Sequence, residues 1–186
     1  MKQDIKREDY AVVLDYLPHG YPDSSVPSHR KTAIAQAIGK SYLGLLELVP
    51  KKEAFLNPGE EVYIGEGKRE KVHHINGRIN LDRLTGTAEQ ELKFIITDIV
   101  KANEAEYVAF FNKAGPLSLR MHMLELLPGL GKKHVKEVLD AREDAPFTSF
   151  EDIKARVKNL SHPEEIVVKR ILKELEGNEK HRIFAK

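Results

Sequence analysis

Cysteine and tryptophan are both absent from the 186 residues. Without cysteine there is no disulfide framework, no thiolate zinc site and no thiol nucleophile. Long apolar runs are missing too, and the N-terminus is polar, so the chain is expected in the cytoplasm with no membrane partner. Neither charge dominates: 30 Lys and Arg stand against 29 Asp and Glu, a net charge of +1. That excludes a basic tail or a histone-like coat, and any nucleic-acid surface has to be a local patch. Also lacking are a phosphate loop of the ATPase type, a His-x-x-x-His zinc pair and a serine-nucleophile elbow. What remains is 41% hydrophobic and 32% charged residues, enough for one good core or two small ones.

The first half reads as strands. From Tyr10, Tyr-Ala-Val-Val-Leu-Asp-Tyr-Leu has the β-branched and aromatic content of a strand that Pro18 ends. Residues 18–31 hold three prolines and three serines, which predicts a long exposed loop closing on the basic pair Arg30 and Lys31. Thr32–Ile38 and Tyr42–Val49 are apolar runs on either side of a Gly39-Lys40-Ser41 hairpin. Asn57-Pro58-Gly59 is a turn before a short strand at 61–64, and Val72–Leu84 reads as a bent final strand or a last hairpin. His73 and His74 are expected on opposite faces of that strand, which excludes joint chelation of one metal.

The second half reads as helices. Thr87-Ala-Glu-Gln90 has the form of a capping box, followed by Leu92, Ile95, Ile96, Ile99 and Val100 at helical spacing. Asn103 starts another helix with Tyr107, Val108, Phe110 and Phe111 as its apolar face and Gly115-Pro116 as its stop. Leu117–Leu127 is expected to be helical until Pro128, after which Gly129-Leu130-Gly131 makes a tight turn and a new helix restarts with Val135, Val138 and Leu139. Such a turn presents bare amides at a helix N-terminus, where the dipole favours an anion, and Lys132 and Lys133 follow at once. Thirty residues on, Val157-Lys-Asn-Leu-Ser161 repeats the pattern of Leu127-Pro-Gly-Leu-Gly131 between a helix capped by Ser149 and Asp152 and one carrying Ile166, Val167, Ile171 and Leu175. With Asn159 and Ser161 in place of glycines, this second turn is expected to pack rather than to meet phosphate. The tail after Gly177 is expected to fray.

Leu127-Pro-Gly-Leu-Gly-Lys-Lys133 resembles the helix-hairpin-helix motif, and the repeat with its Pro146-Phe-Thr-Ser-Phe-Glu-Asp152 link resembles the degenerate second half of a tandem domain of that kind. The resemblance implies binding of nucleic-acid backbone without base reading. The amides of Gly129, Gly131, Lys133 and His134 would face phosphate, and Leu130, Lys132 and Lys136 would complete the contact. The carbonyls of Glu125, Leu127 and Leu130 would hold a monovalent cation, K+ or Na+. Five short strands, with Pro58-Gly-Glu-Glu-Val-Tyr-Ile-Gly65 in the fourth, look like an oligonucleotide-binding (OB) barrel of the ribosomal S1-like type. That likeness implies single-stranded binding by stacking and a basic groove, with Arg30, Lys31, Tyr42, Lys68, Arg69, Lys71 and Arg78 as candidates. Over residues 8–176 the combination resembles an uncharacterised archaeal family described as predicted nucleotide- or RNA-binding.

The expected fold is therefore α+β: a small N-terminal OB-like β-barrel (1–84), two connecting helices (85–115), an all-α tandem helix-hairpin-helix domain (116–177) and a tail (178–186). The expected function is non-catalytic binding of RNA or DNA, with RNA favoured by the family resemblance. A protein-interaction scaffold with a protein partner is the alternative. A helix-hairpin-helix DNA glycosylase is the enzymatic one, since that family has a lysine at the position matched by Lys133 and an aspartate downstream, where Glu151 and Asp152 stand. Asp152 falls three residues after Ser149, where capping accounts for it, and the helical chain is short for a base-flipping scaffold. Glu143, Asp144, Glu151, Glu164 and Glu165 read as charges at helix ends rather than metal ligands.

Overall fold

A computed structural model describes residues 7–186. The chain divides into two compact units, one made of the chain up to Ile95 together with Lys173–Lys186, the other of Ile96–Leu172. The first is built on five strands, β1 (Tyr10–Leu17), β2 (Ile34–Gly39), β3 (Leu45–Pro50), β4 (Glu61–Tyr63) and β5 (Val72–Arg78). They form one curled antiparallel sheet in the order β4-β1-β2-β3-β5. Alternate residues point inward, so Ala11, Val13, Ala35, Ala37, Leu46 and Leu48 make the core with Leu56, Val62, Ile64 and Val72. Three alanines on the concave side let the strands curl tightly. Irregularities in register leave Leu14 on β1 and Asn76 and His73 on β5 as extra residues, and each such bulge sharpens the bend.

The sheet is a half-barrel rather than the expected closed one, because β4 and β5 do not pair with each other. The chain between them folds on itself instead: Gly67 N donates to the Tyr63 hydroxyl at 3.0 Å and Arg69 Nε to the Gly65 carbonyl at 2.8 Å. The turn after β2 is longer than expected and includes Tyr42, whose N–H donates to the Glu8 carboxylate at 2.7 Å, as does that of Ser41 at 2.8 Å. Burial pushes the Glu8 carboxyl above its usual range. A Cβ at Gly39 would lie 2.0 Å from that carboxylate, so any larger residue there would have to displace the Glu8 side chain. The tail is not frayed. The buried Glu174 carboxylate accepts N–H bonds from Ile183, Phe184 and Ala185 at 2.8–2.9 Å, and Lys186 N donates to the Tyr42 carbonyl.

Helix α1 (Gly86–Ala102) starts two residues earlier than expected, with Thr85 and not Thr87 as its cap. The Thr85 hydroxyl accepts from Ala88 N and donates to Asp15, while Thr85 N donates to the buried Gln36 side chain at 2.9 Å. Gln36, fully buried, is satisfied because its amide nitrogen also reaches the Tyr21 hydroxyl and the Arg83 carbonyl.

In the second unit, the later part of α1 is followed by α2 (Glu104–Lys113), α3 (Lys132–Asp144), α4 (Phe150–Arg156) and α5 (Pro163–Leu175). The helix expected over Leu117–Leu127 is absent. In its place are a small hairpin, β6 (Pro116–Ser118) with β7 (Met121–His122), and a single 3-10 turn at Met123–Leu126. His122 sets that start: its Nδ1 accepts from Leu124 N at 3.1 Å while its own N–H donates to the Glu125 carboxylate at 2.8 Å. Pro128 then stops the helix before it can lengthen. Three arginines cap what the helices leave open. Arg142 donates to the carbonyls of Phe111 and Ala114, Arg156 to those of Ala141 and Ala145, and the buried Arg170 to that of Leu126. A planar guanidinium can serve two carbonyls at once, which lysine does less well. Among the described residues no helix is long and apolar enough to cross a membrane.

Candidate nucleic-acid interface

The turn before α3 is built from its apolar residues outward. Leu127, Leu130, Val135 and Val138 are buried and fix both sides of it, and Leu130 N closes the turn on the Leu127 carbonyl at 3.1 Å. Gly129, the third residue of that turn, has φ +85°, which the turn type requires. Gly131 is extended at φ −89°, ψ 178°, and its carbonyl receives the first helical bond, from Val135 N at 3.0 Å.

Among the described residues, the N–H groups of Gly129, Gly131, Lys132, Lys133 and His134 meet no protein acceptor. Both glycines are exposed, and a Cβ at either would meet no atom within 4 Å. The turn is thus neither covered nor internally satisfied. Lys132, Lys133 and Lys136 are exposed around it, His134 is half-buried, and no acidic residue stands in the first turn of α3. Open amides, a helix dipole and three cations at one point make a place where an anion is stabilised. The Glu125 carbonyl would be met in a continuing 3-10 helix by residue 128, but Pro128 has no N–H to give, and the Leu127 carbonyl already accepts from Leu130.

The repeat is present in the backbone as well. Asn159 has φ +60° where Gly129 has +85°, and Leu160 N closes on the Val157 carbonyl at 3.4 Å. Loss of the glycine has therefore not changed the turn, because asparagine tolerates the left-handed region. What differs is the helix start: α5 opens with Pro163, which has no N–H, and with Glu164 and Glu165.

The candidates on the first unit do not share a single groove: Arg30 and Lys31 line one opening, Arg69 and Arg78 another. Arg30 is exposed at the end of a 3-10 turn (Ser28–Arg30), while Lys31 is occupied, donating to the Tyr21 carbonyl at 3.0 Å and to Pro22. Tyr42 lies in a turn, not on a strand. Lys71 is paired with Glu60, Arg69 holds Gly65, and Arg78 stands at the other end of β5. Arg7, Arg69 and Arg78 do line one opening of about 310 Å³ with Ile64 and Ile75, a grouping no local pattern announces. His73 and His74 are not on opposite faces: the bulge at His73 turns both rings outward together, with their Nδ1 atoms 2.7 Å apart. Among the described residues there is no cluster of three or more potential metal ligands.

Of the residues considered for glycosylase or nuclease chemistry, Asp152 is engaged otherwise. The Asp152 carboxylate accepts from Thr148 N at 3.0 Å and from Arg156 at 3.2 Å, and these bonds, the backbone one first, hold it below the usual carboxylate range. Glu143 and Asp144 stand in the last turn of α3, where the dipole disfavours them and Arg142 and Arg156 offset it.

A curled antiparallel half-barrel and a helical unit bearing an open glycine turn define a mixed α+β protein. Residues 7–186 match the model of a family described as a protein of unknown function, DUF655, and the chain belongs to that family. It is 40% identical over 179 residues to "Uncharacterized protein MJ0038" of Methanocaldococcus jannaschii, covering 96% of this chain and 79% of that one. It also matches the crystal structure of Af1531 from Archaeoglobus fulgidus, which carries the same family name, at 42% identity and a TM-score of 0.88 over 96% of this chain and 100% of the other. Both relatives are archaeal.

Proposed function

We propose that this protein binds nucleic acid without catalysis, through a helix-hairpin-helix turn that grips backbone phosphates independently of sequence. The observation that carries the reading is the row of unengaged amides at Gly129, Gly131, Lys132, Lys133 and His134, exposed and flanked by Lys132, Lys133 and Lys136. A phosphodiester supplies the acceptors these donors lack and the negative charge the helix terminus favours. The strand order β4-β1-β2-β3-β5 supports reading the half-barrel as an OB barrel opened between β4 and β5, and with it a second contact with a single strand of RNA or DNA, RNA being favoured by the family resemblance. At the hairpin, the resemblance implies a K+ or Na+ ion on the carbonyls of Glu125, Leu127 and Leu130, which would add positive charge beside the phosphate.

Salt titration tests the reading. If three to five phosphates are neutralised, log affinity falls against log salt with a slope of roughly −3 to −5, and Lys132→Ala or Lys133→Ala each reduces that slope by about 1 evenly across sequences. A flat dependence would instead identify a protein-interaction module.

A further inference from the structure

We infer that the hairpin arm Pro116–His122 is an apolar wedge that enters the base stack of the duplex held by the α3 turn, an inference that rests on the phosphate-binding reading above. Leu119 at the tip is 106% exposed, and Leu117 and Met121 beside it are 36% and 41% exposed. Three large apolar side chains in one short segment therefore face water. Leu119 and Arg120 form the tip, and neither has a positive φ, so the turn demands no Gly, Asn or Asp and leaves the choice of side chain open. Three exposed apolar side chains side by side, which neither the turn nor packing requires, mark a contact surface.

The arm is held firmly. Met123 N bonds the Gly115 carbonyl at 2.9 Å, Arg120 N bonds the Ser118 hydroxyl at 3.2 Å, and Arg142 fixes the Ala114 carbonyl just before it. A stiff apolar projection can part bases without first paying for its own ordering. Its surroundings select the partner. Leu119, Arg120 and Met121 line one shallow groove of about 460 Å³ with Lys132 and Lys136 of α3, the lysines that flank the open amides. Glu125, Asp140 and Glu143 line the same groove, Glu125 with its carboxylate bonded to His122 N and the other two farther down α3, so a polyanion is favoured at the Lys132 end. Three side chains fall far short of the roughly 1,000 Å² that a specific protein interface buries, whereas one Leu or Met is enough to wedge a base step.

The test uses short DNA and RNA duplexes carrying 2-aminopurine at interior steps, whose fluorescence rises when stacking is lost. Wild-type protein should raise the signal on binding. Leu119→Asn, which suits the turn and should leave circular dichroism unchanged, should bind about tenfold more weakly with the same salt slope and without the fluorescence rise. Gly131→Val should lose binding and signal together. Wild-type binding at saturation with no fluorescence change, or a Leu119→Asn protein with full affinity and full signal, overturns the wedge and leaves the phosphate reading standing. A wild-type protein that binds neither duplex sinks both.

Discussion

Replacing Gly131 by valine separates the fold from the proposed contact. Gly131 lies at φ −89°, ψ 178°, an extended conformation that valine adopts readily, and its Cβ would meet nothing within 4 Å. Exchanging a glycine cap for an aliphatic one costs up to about 1 kcal/mol, and removing a glycine from the unfolded chain returns about 0.4–1 kcal/mol, so the melting temperature should barely move. Binding should respond very differently. The two methyl groups would occupy the space a phosphate oxygen needs to come within hydrogen-bonding distance of the Gly131 and Lys132 amides. Two charge-assisted bonds at about 1.5 kcal/mol each amount to about 3 kcal/mol, or on the order of 100-fold in Kd. Fluorescence anisotropy with a labelled oligonucleotide at fixed salt reads the loss, and a thermal melt followed by circular dichroism checks the fold. Gly129→Ala is the counterpart: at φ +85° an L side chain costs about 1–2 kcal/mol, so that variant should melt lower. A folded Gly131→Val protein with wild-type affinity would refute the reasoning.

Burial, and then Arg142, hold the His122 imidazole below its ordinary value, so the unfolded chain takes up the proton first. Its contribution to stability is full above about pH 6.5 and is lost as the pH falls toward the folded value; denaturant titrations at about pH 7.5 and 5.5 should show that loss, and His122→Asn, which keeps an acceptor at the cap, should flatten it. Arg142→Met leaves the carbonyls of Phe111 and Ala114 without their donor, bonded at 3.0 and 2.8 Å, and should cost about 2–4 kcal/mol in thermal unfolding; a change below about 0.5 kcal/mol would show that water replaces the guanidinium.

Strand positions and most helices were legible because each carries its own period. What escaped depends on partners far along the chain. The cap at Thr85 is selected by Asp15 and Gln36, which local reading cannot see, so Thr87 with its nearby Gln90 looked the better choice. The bulge that brings His73 and His74 together exists only relative to Val49 and Pro50 on β3. Nothing local marks Arg142, Arg156 and Arg170 as caps, since their carbonyl partners lie elsewhere along the chain. The hairpin arm is a different kind of miss. Leu117, Leu119 and Met121 recur at every second residue, which is a strand period, but the apolar run to Leu127 fitted a helix well enough to hide it. For the site, the amides at Gly129 and Gly131 were legible from glycine and lysine alone, whereas the neighbouring wedge was not.

The two turns of the repeat then show what would distinguish a phosphate site from a packing turn. Both have a positive φ at the third residue and the same closing bond, so glycine at 129 is not the deciding feature. The helix starts differ. Lys132 follows one turn, while Pro163, Glu164 and Glu165 follow the other, with Glu164 paired to His162 at 3.7 Å. A phosphate about 5 Å from an exposed carboxylate is repelled by roughly 1 kcal/mol, and two carboxylates outweigh the 0.3–1 kcal/mol that the helix terminus typically offers. Reversing that charge should therefore awaken the second turn. Glu164→Gln with Glu165→Lys removes two repulsions and adds one cation, so affinity for an oligonucleotide should rise several-fold and the salt slope should steepen by about 1. The same double variant combined with Gly131→Val should recover part of the binding lost at the first turn. An unchanged slope in the double variant would mean that the missing Pro163 N–H, not charge, silences the second turn, and the electrostatic account would fail.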